Sequence, residues 1–286
     1  MTRIVCLNGE FVPEDEARIP IMDRGLLFAD AVYEGMGVLD GGIVDVRKHL
    51  ARLRRSLAEV GIPEPHTEEE FLGILMELVR RNDVDEGFLY LHVTRGVAER
   101  NYVPVAGLTP TVFGFTQPLQ GAPADAEPAG LTMSSQPDLR WARRDVKTTN
   151  LLGQVLANWG ASEAGADEAL LVAPDGTVTE GGAVSFFPVV GGALLVRPLS
   201  NDILPGVTRS TLLEVLEAEG IPIDERTYTL DEALAADEAM ITGASSYVEP
   251  IVAIDGQAIG AGEPGALTLH LRTAYLALVR SRLHPD

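Results

Sequence analysis

RWARRDVKTTNLL, residues 140–152, holds Lys147, one of only two lysines in the chain; the other is Lys48. The remaining twenty of the 22 basic residues are arginine. Arginine is a permanent, delocalised cation, whereas a desolvated lysine can shed its proton and act as a base or nucleophile. Keeping lysine here, beside an acid and two threonines, points to a position that needs an amine. A surface lysine present by chance is the competing reading, and the rest of the chain has to decide between them.

Working outward, the chain has 286 residues, enough for one large domain or two ordinary ones. Composition is globular, with 46% hydrophobic and 22% charged residues and a net charge of −20. A polyanion gains nothing from phosphate backbones or anionic lipid, so nucleic acid and membrane surfaces are not the expected partners. A single cysteine, Cys6, excludes an internal disulfide and fits a reducing compartment. MTRIVCLNGEFVP reads as strand and turn rather than as a secretion signal, and no run of about 18 apolar residues exists to span a bilayer. The expected location is the cytoplasm.

TQPLQGAPADAEPAG, residues 116–130, is rich in Pro, Gly and Ala and has no periodicity. It predicts a first domain over 1–117, a linker over 118–125 and a second domain over 126–286. In the first, hairpins are expected at Asn8-Gly9 and at Asp40-Gly41-Gly42. A helix from about Val46 carries Leu50, Leu53, Leu57 and Val60 on one face and closes at Gly61. Thr67 and Glu70 form a capping box for a second helix. In the second domain, Leu151 to Ala164 reads as a helix, EALLVAPDGTVTEG as a hairpin, and Leu204-Pro205-Gly206 as the lead into another helix. EAMITGASS reads as a strand into a Gly/Ser turn, and HLRTAYLALVRSRL as a terminal helix. The class is α+β, without the regular rhythm of a doubly wound fold.

If Lys147 forms a Schiff base, pyridoxal phosphate is the cofactor to test, and each of its polar groups needs a partner. Phosphate needs backbone N–H groups at a helix start together with a hydroxyl or an arginine. PGVTRS at 205–210 and TGASS at 242–246 offer two such turns, and Arg52 offers the cation. Taken singly, each turn is an ordinary one and Arg52 a solvated helix residue. The pyridine nitrogen needs a carboxylate; Glu180, followed by Gly181-Gly182, sits where backbone could approach closely. Other chemistries find less support. GAGEPG at 260–265 contains Pro264 and leads into no βα unit, so it reads as a loop. His49, His66, His92, His270 and His284 show no metal-ligand spacing, and no G-x-S-x-G elbow occurs.

Six blocks, in order, carry a resemblance: DRGLLFADAVYEG (23–35), HLARL (49–53), RWARRDVKTTNLL (140–152), EAGADEALLVAPDGTVTEGGAVSFF (163–187), LPGVTRSTLLE (204–214) and ITGASSYVEPIVAIDG (241–256). Over nearly its whole length the chain resembles the class IV, or fold type IV, pyridoxal-phosphate aminotransferases, and within them the D-amino acid transaminases most. The resemblance implies a two-domain fold, with a small α/β N-terminal domain and a larger mixed-sheet, barrel-like C-terminal domain. It implies pyridoxal 5′-phosphate, with Lys147 as the Schiff-base lysine, Glu180 at the ring nitrogen, and Arg52, Val207 and Thr208 at the phosphate. The second phosphate turn falls on Gly243, Ala244 and Ser245, where the family usually has hydroxyls at the first two positions. Arg100 and Tyr33 match residues that hold the substrate carboxylate, while Tyr102 stands at the family's histidine. The implied reaction moves an amino group from a D-amino acid, or an (R)-amine, to a 2-keto acid by a ping-pong course. A loop reaching into the neighbouring subunit implies a homodimer. A branched-chain L-aminotransferase, an aminodeoxychorismate lyase and a cofactor carrier are the alternatives.

Overall fold

A computed structural model describes residues 2–119 and 123–283. Residues 120–122 of the expected linker and His284 lie outside these. The chain divides into two compact units. The first comprises Met1–Gly121, Val146–Asn150 and Arg282–Asp286; the second comprises Ala122–Asp145 and Leu151–Ser281.

The first unit is built from β1 (Ile4–Leu7), β2 (Glu10–Pro13), α1 (Arg24–Phe28), β3 (Ala31–Leu39), β4 (Gly42–Ile43), α2 (Val46–Val60), α3 (Glu68–Arg81), β5 (Gly87–Thr94) and β6 (Thr111–Pro118). Its six strands form one sheet in the order β2-β1-β6-β5-β3-β4. Both expected hairpins are present. Asn8 and Gly9, and Asp40 and Gly41, have positive φ, as a two-residue turn between twisted strands requires. Strand alternation sends Val32, Met36, Leu89, Leu91 and Val93 to one face, where they pack on Leu50, Leu53 and Leu57 of α2 and Phe71, Leu75 and Leu78 of α3. The other face carries Tyr33, Tyr90, His92, Phe113 and Phe115 in a row of ring contacts. Thr67 and Glu70 close the capping box of α3.

The second unit contains β7 (Leu131–Pro137), α4 (Leu152–Glu163), β8 (Glu168–Val172), β9 (Val178–Gly181), β10 (Ser185–Val190), β11 (Ala193–Val196), α5 (Val207–Glu219), β12 (Ile223–Glu225), α6 (Leu230–Leu234), β13 (Glu238–Gly243), β14 (Tyr247–Ile254), β15 (Gln257–Ala258) and α7 (Ala266–Leu283). The nine strands form a mixed sheet, β12-β11-β10-β13-β14-β7-β8-β9, with β15 on β14. Its core holds Leu170, Val178, Phe186, Tyr228, Ile241 and Ile251. GAGEPG is a loop between β15 and α7. No helix among the described residues is long and apolar enough to cross a membrane.

Three features of the division differ from the sequence reading, one being that Arg282 and Leu283 group with the first unit although the expected second domain runs to 286. Val146–Asn150 groups with the first unit although it lies well inside the expected second domain. The cause is backbone pairing across more than a hundred residues. Tyr33 N–H donates to Lys147 O at 3.0 Å, Thr149 N–H donates to Ala31 O at 3.2 Å, and Thr148 bridges Val32. Further, Pro123 and Ala124, inside the expected linker, accept from the buried Arg272 guanidinium and so are built into the second unit.

Candidate active site

In the first unit the pairing with β3 fixes Lys147. Its carbonyl is taken by Tyr33, and its own N–H donates to Ser56 Oγ on α2 at 3.3 Å. The side chain then carries Nζ over the Tyr33 ring, 4.3 Å from the centroid. Next along β3, Glu34 is fully buried. Two donors from α2 converge on it: Arg52 Nε at 2.9 Å and Nη2 at 2.7 Å, and His49 Nδ1 at 2.7 Å. Burial pushes the Glu34 carboxyl up, but Arg52 and His49 outweigh it and hold the group down at about 2. Burial also pushes His49 down from 6.5; Arg52 and Lys147 add to this and Glu34 opposes it. His49 and Arg52, one turn apart on α2, therefore grip one carboxylate as neutral imidazole and cation. The expected Tyr33, Arg52 and Lys147 are brought together. Glu34 and His49 are the members that sequence reasoning missed, although both lie in the quoted blocks YEG and HLARL.

Arg100 and Tyr102 form a separate group. The Arg100 guanidinium lies 5.3 Å over the Phe28 ring and 5.4 Å over the Tyr102 ring, and Tyr102 is 77% exposed. Phe28 and Tyr102 thus flank the Arg100 guanidinium. The loop of Arg100 and Tyr102 is fastened. Asp23 caps α1 and accepts from Thr94 and Thr111 hydroxyls. Arg24 donates to Asp30 and to the carbonyls of Asn101 and Tyr102. The DRG run at the head of the first block is thus a scaffold for this loop.

In the second unit Glu180 is buried at the end of β9. It is ion-paired with Arg140 Nη1 and accepts the Leu204 N–H at 3.2 Å. Arg140 also grips Asp138 at 2.8 Å. Burial alone would lower the Arg140 pKa; Asp138 and Glu180 raise it instead. Glu180 is therefore paired with a cation and held in a fixed orientation, and Arg140 is a third residue the sequence reading passed over. The two glycines after Glu180 are accounted for differently than expected. A Cβ on Gly181 would lie 2.4 Å from Val184 Cγ2, and one on Gly182 would lie 2.3 Å from Asn158 Oδ1. Val184 thus crowds the Cβ position of Gly181, and the ends of the Asn158 and Glu168 side chains crowd that of Gly182.

The two expected phosphate turns flank one strand. Gly206 is the N-cap of α5, and its missing Cβ would lie 2.9 Å from Ser185 Oγ. Ser185 pairs with Thr242 across β10 and β13. Gly243 follows, and its missing Cβ would lie 3.0 Å from Val184 Cγ1. Val207 and Thr208 occupy the first turn of α5, where N–H groups have no carbonyl one turn back to bond. Thr242 Oγ1 and Ser246 Oγ are buried and have no hydrogen-bond partner among the described residues. A polyanion suits this set: helix-start N–H groups, two orphaned hydroxyls and backbone without Cβ. With the buried Glu180 carboxylate in the same unit, these residues fit two of the polar groups of pyridoxal phosphate, the phosphate and the ring nitrogen.

The amino-transferase class IV family model matches residues 31–254, most of the chain. The chain belongs to the class IV aminotransferases. Among class IV relatives, a D-alanine aminotransferase of Bacillus licheniformis is 40% identical over 270 residues, 94% of this chain and 95% of the relative. One from Staphylococcus haemolyticus is 35% identical over 283 residues, 99% of each. Of solved class IV structures, the T.th. branched-chain amino acid aminotransferase with pyridoxamine 5′-phosphate has a TM-score of 0.91 at 27% identity, covering 100% of this chain and 96% of that one. The Thermobaculum terrenum branched-chain enzyme in its PLP form has a TM-score of 0.86 at 26% identity, covering 98% and 95%. The fold is that of fold type IV, and the chain is an aminotransferase.

Proposed function

We propose that this class IV enzyme transfers the amino group of a D-amino acid such as D-alanine to a 2-keto acid, using pyridoxal 5′-phosphate. The observation that carries the reading is the clamp on Lys147: backbone pairing with β3 holds the amine against Tyr33, beside the Arg52–Glu34–His49 group. The choice of D-amino acid rests on the D-alanine aminotransferases it resembles from end to end.

When bound, the cofactor supplies a carbonyl that takes the amino group and a protonated ring that accepts the electrons released at the substrate Cα. Lys147 would hold the cofactor and, as the amine nearest Tyr33, would carry the substrate Cα proton on Nζ. Glu180, ion-paired with Arg140, would hold the proton on the ring nitrogen. Arg52, Val207 and Thr208, with the Gly243-Ala244-Ser245 turn, bind phosphate. Tyr33 bounds the substrate side of Lys147. Arg100 and Tyr102 serve the substrate carboxylate, their loop reaching the site of a second subunit in a homodimer. The α4 surface suits a second copy: Leu152, Val155, Leu156 and Trp159 are exposed at helical spacing, and α4 carries no basic residue and one acid, Glu163, at its end. A cytoplasmic location accords with the single unpaired cysteine.

The test is a set of half-reactions. Protein reconstituted with pyridoxal phosphate is mixed separately with D-alanine, L-leucine and an (R)-arylalkylamine, and its visible absorption band is followed. Discharge by D-alanine supports the reading. Discharge by L-leucine alone moves the enzyme to the branched-chain activity that the solved neighbours are named for. Turnover retained by Lys147→Ala refutes the assignment of the lysine.

A further inference from the structure

The loop between β5 and β6 carries Arg100 and Tyr102, and one carboxylate stands behind its fastenings. Asp30 Oδ2 accepts from Arg24 Nε at 2.8 Å and from Arg95 Nε at 2.7 Å. We propose that Asp30 is a positioning residue: by aligning Arg24 and Arg95 it sets the place of Arg100, and through Arg100 the affinity for substrates that carry a carboxylate. This rests on the reading of Arg100 as a residue that serves the substrate carboxylate.

The remaining donors of the two guanidinium groups all go to backbone. Arg24 gives Nη1 to Asn101 O at 2.5 Å and Nη2 to Tyr102 O at 3.2 Å, the carbonyls of the two residues that follow Arg100. Arg95 gives Nη1 to Gly61 O and Nη2 to Val60 O, each at 2.6 Å, at the end of α2. Carbonyls fix where a guanidinium points but do not balance its charge. Asp30 supplies that balance for both. The Arg24 side chain is 4% exposed, and among the described residues neither arginine has another carboxylate within ion-pairing distance. Burial pushes the Asp30 carboxyl up, but Arg95 and Arg24 outweigh it and hold the group below 3.8, so it is an anion at neutral pH.

Main chain and side chain divide the work. Arg24 N–H donates to Gly96 O at 2.9 Å, and Arg95 N–H donates to Asp30 O at 3.0 Å. These bonds fix the stem of the loop. Its middle, beside Arg100, is held by the Arg24 fork. The surface on which Arg100 rests belongs to the same joint: Phe28 lies 4.8 Å from the Arg24 guanidinium, 5.3 Å from that of Arg100 and 5.5 Å from the Tyr102 ring. Without the Asp30 charge, two largely buried cations face one neutral group, and the fork loses the partner that orients it. The stem would stay and the middle would shift.

The experiment uses the holoenzyme reconstituted with pyridoxal phosphate. Asp30→Asn removes the charge and keeps the shape. Arg24→Lys keeps a cation beside Asp30 but has no fork to reach two carbonyls; it is the milder change and carries the test if Asp30→Asn fails to fold. Each is made alone and together with Arg100→Ala, and steady-state constants for D-alanine are measured. Either variant alone should raise KM roughly tenfold or more, the effect of displacing an ion-pairing group by about 1 Å, with kcat nearly unchanged. Beside Arg100→Ala neither should raise KM further, because a residue that acts through Arg100 has nothing left to place. Trypsin reads the loop independently of activity: cleavage after Arg100 should be several-fold faster in both variants than in the parent. An unchanged KM, a fall in kcat at constant KM, a KM effect undiminished beside Arg100→Ala, or an unchanged cleavage rate would overturn the proposal. If Arg100→Ala by itself leaves KM unaltered, the carboxylate reading of Arg100 falls instead, and the cleavage rates still decide whether Asp30 places the loop.

Discussion

Replacing Glu34 by Gln tests the buried group beside Lys147. The substitution keeps shape and one acceptor. It puts an amide N–H₂ where Oε2 now accepts from both Arg52 Nη2 and His49 Nδ1, each at 2.7 Å. Donor then faces donor at Arg52, and a buried guanidinium loses its counter-charge. Two routes give the magnitude. The fall of the Glu34 carboxyl from 4.5 to about 2 corresponds to about 3 kcal/mol of preference for the anion in the folded protein. Removing one partner of a buried ion pair costs about 3–5 kcal/mol in general. The expectation is therefore a loss of about 3 kcal/mol confined to the first unit. The sequence provides separate probes for the two units. Cys6, the only cysteine, is buried in the first-unit core, whereas Trp141 and Trp159 are both in the second unit. Thiol labelling against urea should show a much lower midpoint in Glu34→Gln, with the tryptophan fluorescence transition far less affected. A labelling transition moved by less than about 1 kcal/mol would mean that the group is solvated and that Glu34 does not hold Arg52.

The same group predicts acid behaviour. His49 has its folded pKa below 6.5, so the unfolded chain takes that proton first and stability falls as pH drops below 6.5; Glu34 is depressed from 4.5 to about 2, so its contribution is complete above 4.5 and lost between these values. Cys6 labelling with a disulfide reagent that reacts in acid should show both limbs, and Glu34→Gln should lack the lower one; a profile flat from pH 7 to 3 contradicts this. Gly96→Ala should destabilise the first unit by about 1–3 kcal/mol, because φ is +105° and the new Cβ would lie 2.0 Å from Thr109 O; an unshifted labelling midpoint refutes it. Trp159→Asp should raise the dimer dissociation constant at least about tenfold by sedimentation, and an unchanged value would remove α4 from the subunit interface.

Local chemistry made the elements legible in the sequence. Asn8-Gly9 and Asp40-Gly41 are turns because those residues tolerate positive φ; α2 and α3 were readable from apolar spacing, Gly61 and the Thr67–Glu70 box. Two lysines in 286 residues singled out Lys147, and six ordered blocks supplied the class of fold and cofactor. Each of these signals spans only a few residues, and propensity and capping act at that range. Tertiary structure decided which unit holds the lysine, because pairing of Lys147 and Thr149 with β3 joins residues more than a hundred positions apart and leaves no local pattern. It decided that Glu34 and His49 hold Arg52, that Arg140 holds Glu180, and that Arg100 lies over Phe28. Burial gives these charges their energies, and burial is set only when distant segments pack. The glycines show the same division: the sequence marked Gly181-Gly182 as a place of close backbone approach, and only packing showed that Val184 and Asn158 come there.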